Sequence, residues 1–196
     1  MRPVHSRAAL GGLLALAACS TAAPVPWSLQ QLLQEAPDEE PARIWLEGNT
    51  IVAAAVALGP GALPADVRTT LDAIAPRGEL VFQGREWGER GAGYRIEKRY
   101  REGVNEQERS VLIDTEGRVL ERSHTWPIGD VPQHVLVAAM QAGTQIEAAW
   151  IVSGAEREEY WACTVRNRLG QTFVVRIGLD GRWIGAVRRV QASVHV

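Results

Sequence analysis

An internal repeat is the sequence feature that most constrains the fold. Predicted helices at 63–75 and 131–141 each open on a proline, Pro64 and Pro132. Proline suits the first turn of a helix, where its missing N–H would have no partner. Four strand-like segments follow each helix, at 79–87, 94–101, 109–114 and 118–126, then at 145–152, 158–166, 172–178 and 182–190. The repeat therefore predicts two copies of one structural unit.

Each predicted helix has one apolar face at helical spacing. The residues predicted to face the core are Val67, Leu71 and Ile74 in the first helix, and Val135, Leu136, Ala139 and Met140 in the second. The strands alternate with period two. Trp161, Cys163 and Val165 are predicted to share a buried face, as are Trp183 and Val187.

The last hairpin of each copy turns on similar residues, TEGR at 115–118 and LDGR at 179–182. Glycine supplies the positive φ that such tight turns need. A further turn at 47–49 lies between the strand-like segments 44–46 and 50–58, and predicts a truncated earlier unit paired at a sheet edge. Before it, Ser28 and Gln31 fit a capping box that opens a short helix.

These elements predict an α+β fold. It consists of two tandem units, each a helix plus a four-stranded antiparallel meander, with the helices packed on one face of the sheet. The predicted divisions are a signal peptide at 1–18, a lipidated tether at 19–27, an N-terminal helix and edge hairpin at 28–62, a first unit at 63–128 and a second unit at 129–196.

The N-terminus has the pattern of an export signal. Arg2 and Arg7 precede a run at 8–18 that contains only Ala, Leu and Gly. A helix of that length spans roughly 17 Å, too short for a hydrocarbon core of ~30 Å. A cleaved signal is therefore predicted rather than a transmembrane helix.

The run ends in Leu16-Ala17-Ala18-Cys19, which resembles the lipobox of bacterial lipoproteins. The resemblance implies cleavage before Cys19 and acyl chains that anchor the protein to a membrane. Several chains are needed, because one alone binds a bilayer weakly. Ser20 implies the outer membrane, with the protein facing the periplasm. The alternative is ordinary cleavage that leaves Cys19 a free thiol.

The repeated helix-and-meander pattern in a lipobox protein resembles the PepSY-like group, which includes domains similar to β-lactamase-inhibitor protein. The similarity covers 63–190. It implies a binding or inhibitory role outside the cytoplasm, with a periplasmic protein partner. A second resemblance, to small outer-membrane assembly lipoproteins of the SmpA type, implies a structural or assembly role in the cell envelope.

Charge and cysteine content exclude some functions. The formal net charge is −2, and losing Arg2 and Arg7 makes the mature chain more acidic, so no basic excess exists to neutralise nucleic-acid phosphates. If Cys19 carries lipid, Cys163 has no partner for a disulfide. Cys163 is predicted to be a buried, inert thiol, because it shares an apolar strand face.

No catalytic residue, metal or cofactor is predicted. His124, His134 and His195 lack the spacing of metal ligands. The acidic pairs at 86/89, 114/116 and 158/159 are interpreted as solvating groups at loop edges, and the glycine-rich segment 88–93 as a hairpin loop. A hydrolase would need a cleft of converging polar groups that the sequence does not display.

Arginines on the polar strand faces give the candidate partner-binding face, since Arg and aromatic residues are enriched at protein-binding hot spots. Its members are Arg95, Arg99, Arg101, Arg122, Arg166, Arg176, Arg188 and Tyr160. The alternative is a solvated face of cross-strand Arg–Glu pairs. The sequence thus favours a non-enzymatic, membrane-anchored protein-binding or inhibitory module, with an assembly lipoprotein as the second hypothesis.

Overall fold

The computed structural model describes residues 28–34, 42–102, 105–155 and 158–192. Cys19, the leader, the tether and His195 lie outside these ranges. The strands are β1 (Ala42–Glu47), β2 (Thr50–Ala57), β3 (Glu79–Gly88), β4 (Gly91–Glu102), β5 (Asn105–Ile113), β6 (Val119–Trp126), β7 (Gln145–Gly154), β8 (Tyr160–Arg166), β9 (Thr172–Gly178) and β10 (Trp183–Ala192). The helices are α1 (Leu29–Gln34), α2 (Ala65–Ile74) and α3 (Gln133–Ala139), with a short 3-10 helix (Ile128–Asp130). Among the described helices, none is long and apolar enough to span a bilayer.

The local sequence determines where the strands form. The eight segments predicted in the two copies coincide with β3 to β10 to within a few residues. Gly117 and Gly181 have φ values of 82° and 85°, as the predicted hairpin turns require. The predicted hairpin around 47–49 is also confirmed, because β1 and β2 pair antiparallel on either side of it.

The ten strands form one closed antiparallel barrel, in which each strand pairs with its neighbours in sequence and β1 also pairs with β10. The predicted α+β class, with helices packed on one face of a sheet, is therefore wrong. The prediction left the β1–β2 hairpin at a sheet edge. In the structure β2 pairs with β3, and β1 pairs with β10, where Ile44 lies opposite Val190. Twist brings the two edges of the sheet together, and closure pairs backbone groups that an edge would leave unpaired.

The antiparallel order places the connections at two opposite ends of the barrel. The connections β1–β2, β3–β4, β5–β6, β7–β8 and β9–β10 lie at the turn end. The connections that contain α2 and α3 leave from the other end, the helix end, as do the β4–β5 and β8–β9 turns.

Helices α1 and α2 cover part of the outer barrel surface. Leu32 of α1 and Val67 of α2 are fully buried and pack with Ile96 and Ile113 of β4 and β5. The predicted capping box at the start of α1 is confirmed: the Ser28 N–H donates to Gln31 Oε1 at 2.8 Å, and the Gln31 N–H donates to Ser28 Oγ at 3.2 Å. Burial of one such apolar side chain contributes about 1.5–3 kcal/mol.

Helix α3 covers a second part of the outer surface. Val135 packs with Cys163, Val165, Val175 and Ile177, all fully buried, on β8 and β9. Met140, predicted to face the core, is exposed instead. Helix α3 ends at Ala139, so Met140 lies beyond the helix and its side chain is not held against the sheet.

A bulge in β10 changes which residues face inward. Trp183 pairs with Ile177 and Gly185 pairs with Arg176, so Ile184 is the extra residue. One extra residue shifts the alternation of all later side chains by one position. Val187 therefore faces the barrel interior, whereas Arg188 faces outward, and the prediction that Trp183 and Val187 share a face is wrong.

Candidate binding site inside the barrel

Inward-facing side chains enclose a cavity of about 680 Å³ that is lined by residues of all ten strands. Pockets that hold small organic ligands have volumes of roughly 300–1,000 Å³. Glu47 and Glu89, at the turn end, line the cavity and are exposed, so the cavity reaches the protein surface there.

Arg95 is the centre of a charged cluster on the β3–β6 side of the cavity. Its Nε and Nη2 donate to the two carboxylate oxygens of Glu86 at 2.8 and 2.7 Å. Its Nη1 donates to Glu121 at 2.8 Å and to Ser110 Oγ at 3.2 Å. Burial alone would lower the pKa of Arg95, but the carboxylates of Glu86 and Glu121 raise it well above its ordinary value. Glu86 was predicted to be a solvating group at a loop edge; it is buried, and that prediction is wrong.

The two-residue turn between β3 and β4 reaches across the turn end of the barrel. Arg90 Nε lies 2.8 Å from Glu121 of β6, and its Nη2 is 3.4 Å from the Tyr160 hydroxyl of β8. On the other side, Glu89 Oε2 accepts from Arg176 Nη1 of β9 at 2.9 Å. Burial, and then the charge of Glu121, raise the pKa of Tyr160, so its hydroxyl stays protonated at neutral pH.

A glycine makes room for this crossing. Gly154 of β7 lies opposite Glu121, and a Cβ at that position would overlap the Arg90 guanidinium. The missing side chain therefore lets Arg90 reach its carboxylate partner inside the barrel.

The β7–β10 side of the cavity is lined mainly by apolar residues, with Arg176 and Arg189 as its charged members. Trp150, Ala162, Arg176 and Gly185 are successive cross-strand neighbours on β7, β8, β9 and β10, and form one inward-facing row. Arg176 therefore lies between the two smallest members of the row. The next inward pair towards the helix end of these strands is Val174 and Val187.

A third ion pair links β1 to β4 near the helix end. Arg43 Nη1 donates to both oxygens of Glu97 at 2.9 Å. The Arg43 guanidinium also lies over the Phe82 ring, 3.7 Å from its centroid. Arg43 is thus held by a carboxylate and an aromatic face together.

The eight residues of the candidate partner-binding face occupy three different environments. Arg95, Arg176 and Tyr160 line the cavity. Arg99, Arg101 and Arg166 lie near the helix end, where each forms an ion pair with a glutamate of a neighbouring strand: Glu108, Glu106 and Glu147, respectively. The pairing resembles the alternative interpretation, a solvated face of cross-strand pairs. Binding of a protein partner by these residues stays a prediction.

The remaining two, Arg122 and Arg188, face outward. Arg122 lies opposite Val111, whose side chain packs beneath α2. Its neighbours Glu121 and Ser123 are also polar, so the sequence carries no alternation that would place Arg122 on either face. Arg188 faces outward because of the bulge in β10.

Sequence reasoning missed several cavity residues, among them Arg43, Arg90 and Glu121. β1 had been interpreted as an edge strand and 88–93 as an ordinary hairpin loop. A signal was present in the alternation of β4, where the charged residues Arg95 and Glu97 lie on the face opposite Tyr94 and Ile96. Mixed charges on one face of several adjacent strands are typical of side chains that pair with each other.

Two other predictions concern isolated reactive groups. Cys163 is fully buried as predicted, and burial raises its pKa to about 11, so it is a protonated thiol at neutral pH. His134 Nε2 lies 3.1 Å from the Leu179 carbonyl oxygen. In the part of the chain that the structure describes, no three His, Cys, Asp or Glu side chains are grouped to hold a metal ion.

The geometry defines a class of protein: a closed antiparallel barrel with a cavity that has a charged side and an apolar side. No protein family and no curated protein matches the sequence. Among solved structures, a Bacteroides eggerthii protein inferred to be periplasmic has a TM-score of 0.50 at 14% identity, over 65% of this chain and 90% of that chain. At this identity the similarity concerns the fold alone.

Two further structures are similar at lower scores. A DUF2874 family protein from Bacteroides uniformis has a TM-score of 0.48 at 19% identity, over 64% of this chain and 89% of that chain. A BLIP-like protein from Bacteroides fragilis has a TM-score of 0.43 at 17% identity, over 69% of this chain and 92% of that chain.

Proposed function

We propose that this chain is a non-enzymatic binding protein of the bacterial cell envelope, anchored to a membrane by lipid on Cys19, and that it holds a small ligand in the barrel cavity. The cavity of about 680 Å³ is the observation that carries the proposal. Its volume suits a small organic ligand, and its lining combines apolar surface with a few placed polar groups, as ligand sites do.

The chemistry of the lining favours binding over catalysis. Glu86 and Glu121 are bonded to Arg95 and Arg90, and Glu97 is bonded to Arg43. General acid–base catalysis needs a group free to exchange a proton with a substrate. Here the buried carboxylates instead accept hydrogen bonds from guanidinium groups that stay charged.

The cell-envelope location rests on the N-terminal sequence. The short apolar run at 8–18 and the lipobox-like Leu16-Ala17-Ala18-Cys19 support export and lipidation, and Ser20 supports the outer membrane. A protein of similar fold, from Bacteroides eggerthii, is inferred to be periplasmic.

Mass spectrometry tests the cavity. The lipidated chain is purified from its native membrane, and molecules that co-purify are compared between wild type and Ala162→Phe, which fills the inward-facing row. We expect a bound molecule in wild type that the variant lacks. Val137→Phe, on an exposed position of α3, is the matched control and should retain it. A bound molecule unaffected by Ala162→Phe would contradict binding in the cavity.

Palmitate labelling with membrane fractionation tests the anchor. Cys19→Ala should abolish both the label and membrane association, since the thiol is the predicted attachment point. Cys163→Ala is the control and should keep both. Equal labelling of Cys19→Ala would refute the lipid anchor while leaving the cavity proposal intact.

The predicted periplasmic protein partner would use the exposed arginines near the helix end, because Arg95 and Arg176 line the cavity. Replacing both Arg99 and Arg101 by Glu should abolish crosslinking to such a partner in the native envelope, and Arg68→Glu at an exposed position of α2 should not. The assembly role of the SmpA type stays a second prediction, tested by whether gene deletion weakens the permeability barrier.

A further inference from the structure

The two sides of the cavity differ in how much of their charge is available to a ligand. On the β3–β6 side, the side chains of Arg95, Glu86 and Glu121 are only 10–13% exposed and are bonded to each other. Displacing one of these partners would leave a buried charge without compensation, which is strongly unfavourable. A ligand therefore gains little by competing with them.

Arg176, on the opposite side of the cavity, has a partner that is exposed to solvent. Its ion pair is with Glu89, whose side chain is 53% exposed in the β3–β4 turn. An ion pair with a solvated partner contributes little to stability, so this pair is easily exchanged. In addition, the buried Arg176 Nε has no hydrogen-bond partner among the described residues, so Glu89 satisfies the guanidinium incompletely.

The surroundings of Arg176 leave room for a ligand. Its cross-strand neighbours Ala162 and Gly185 are the smallest residues of the row. Beyond Ala162 the row continues with Trp150, and Val174 and Val187 form the next inward pair. A guanidinium flanked by small residues and followed by apolar surface is complementary to a molecule with one anionic group on an apolar body.

We propose that the cavity binds an amphipathic organic anion. Its carboxylate or similar acidic group replaces Glu89 on Arg176, and its apolar body lies against Trp150, Val174 and Val187. This inference rests on the proposed function, because it names the class of ligand for the same cavity. The β3–β4 turn is then the element that must release Arg176 when the ligand enters.

Matched pairs of compounds test the charge requirement. Calorimetric titration uses the full chain carrying Cys19→Ala, so that acyl chains and detergent do not compete. The probes are 1-naphthoate with its neutral analogue 1-naphthamide, and octanoate with octanamide. We expect the carboxylate of at least one pair to bind about tenfold or more tightly than its amide, a difference of about 1.4 kcal/mol.

Variants assign that preference to Arg176. Arg176→Gln should weaken carboxylate binding about tenfold and leave amide binding unchanged, whereas Arg176→Lys should keep part of the preference. Glu89→Gln should tighten carboxylate binding severalfold, because the competing carboxylate is removed. Arg68→Gln, at an exposed position of α2, is the control that changes neither. Circular dichroism confirms that each variant is folded.

Two kinds of result would overturn the inference. Equal binding of acid and amide, a preference that survives Arg176→Gln, or no binding of either pair below about 1 mM would refute the anionic ligand. A native ligand lost in Ala162→Phe would still support the proposed function. Acid binding that is unchanged by Ala162→Phe would instead show that the probes bind outside the cavity and would refute this inference, while the comparison of co-purifying molecules would still test the proposed function.

Discussion

At the scale of single residues, the β3–β6 side of the barrel interior is organised by charge pairs rather than by apolar packing. Arg95 bonds three side chains from three strands, and the outward-facing neighbours Tyr94 and Ile96 pack in the apolar cluster beneath α2. Buried ion pairs contribute little net stability compared with apolar replacements, but breaking one leaves a costly unpaired charge. The stability of the fold is therefore sensitive to the loss of one partner of an ion pair, but it tolerates replacement of both partners by apolar residues.

Arg95→Gln should lower the free energy of unfolding by roughly 3–5 kcal/mol, because Glu86 is left buried without its guanidinium partner. Urea unfolding measures the change. The double variant Arg95→Met with Glu86→Leu should recover most of the loss, since no charge is then left unpaired. Arg101→Gln, whose side chain is 77% exposed, should cost less than ~1 kcal/mol. Equal losses for Arg95→Gln and Arg101→Gln would contradict this account.

Burial of Cys163 makes the free energy of unfolding depend on pH, and it fixes the direction of that dependence. Its pKa is raised from 9.0 to about 11 in the folded state, so the folded chain holds the neutral thiol while the unfolded chain ionises. This stabilisation is fully present below pH 9 and is lost as the pH rises through 11, by roughly 3 kcal/mol in all. Urea unfolding of wild type and Cys163→Ala should show this loss only in wild type. Parallel pH profiles would refute the buried thiol.

At the scale of elements, the pairing of β1 with β10 decides between a closed barrel and an open sheet. In the structure each side of β1 has a partner, β2 on one side and β10 on the other. Backbone N–H groups of an unpaired edge would exchange with solvent rapidly, whereas paired ones exchange only when the structure opens.

Hydrogen exchange tests this closure. Successive amides of 43–46 should be protected to a similar degree, because both sides of β1 are hydrogen-bonded. Arg188 and Arg189 of β10, which pair with both β1 and β9, should be protected likewise. The amides of β5, in the middle of the chain, serve as the reference for a strand paired on both sides. Alternating protection along β1 would indicate an edge strand and contradict the barrel.

Local sequence patterns predicted the positions of the strands and turns well, whereas the pairing of strands that are distant in sequence was not predicted. Strand positions, hairpin glycines and the Ser28 capping box depend on neighbouring residues, which the sequence displays directly. The β1–β10 pair joins the two ends of the described chain, and period-two alternation does not reveal it. The predicted orientation of Arg188 was wrong for a related reason. The bulge at Ile184 reverses that orientation, and an inserted residue leaves no clear mark in the sequence pattern.

The cavity was missed for the same physical reason. Arg95, Arg176 and Tyr160 were predicted to lie on a polar strand face, and that face was assumed to meet solvent, whereas all three line the cavity. Once the sheet closes, the polar face lines the interior and the apolar face turns outward beneath the helices. Whether a strand face points into or out of the barrel is decided by closure of the whole ring of strands, and not by one strand alone.

At the scale of the whole molecule, closure makes the two predicted units depend on each other. The two apolar clusters lie under different helices, yet one ring of strands connects them. Removing either half would open the cavity and expose its charged lining together with two strand edges. The division at 63–128 and 129–196 is therefore expected to mark a repeat in sequence and not two independently folding parts.

The full chain should unfold in one cooperative transition, with tryptophan fluorescence and far-UV circular dichroism giving the same midpoint. A fragment covering 28–128 should lack stable structure, because β1 and β6 would then be edges of an open sheet. The same two probes applied to the fragment provide the measurement. A cooperatively folded fragment would support independent units and contradict the dependence proposed here.

Ring closure also limits how any partner can recognise this protein. Peptides often bind by joining a sheet as an additional strand, which requires a row of free backbone N–H and C=O groups. Here each described strand is flanked on both sides by its neighbours, and these strands therefore offer no free sheet edge to which a peptide could add. Recognition must instead depend on side chains, at the cavity mouth or near the helix end, and its specificity will follow their chemistry.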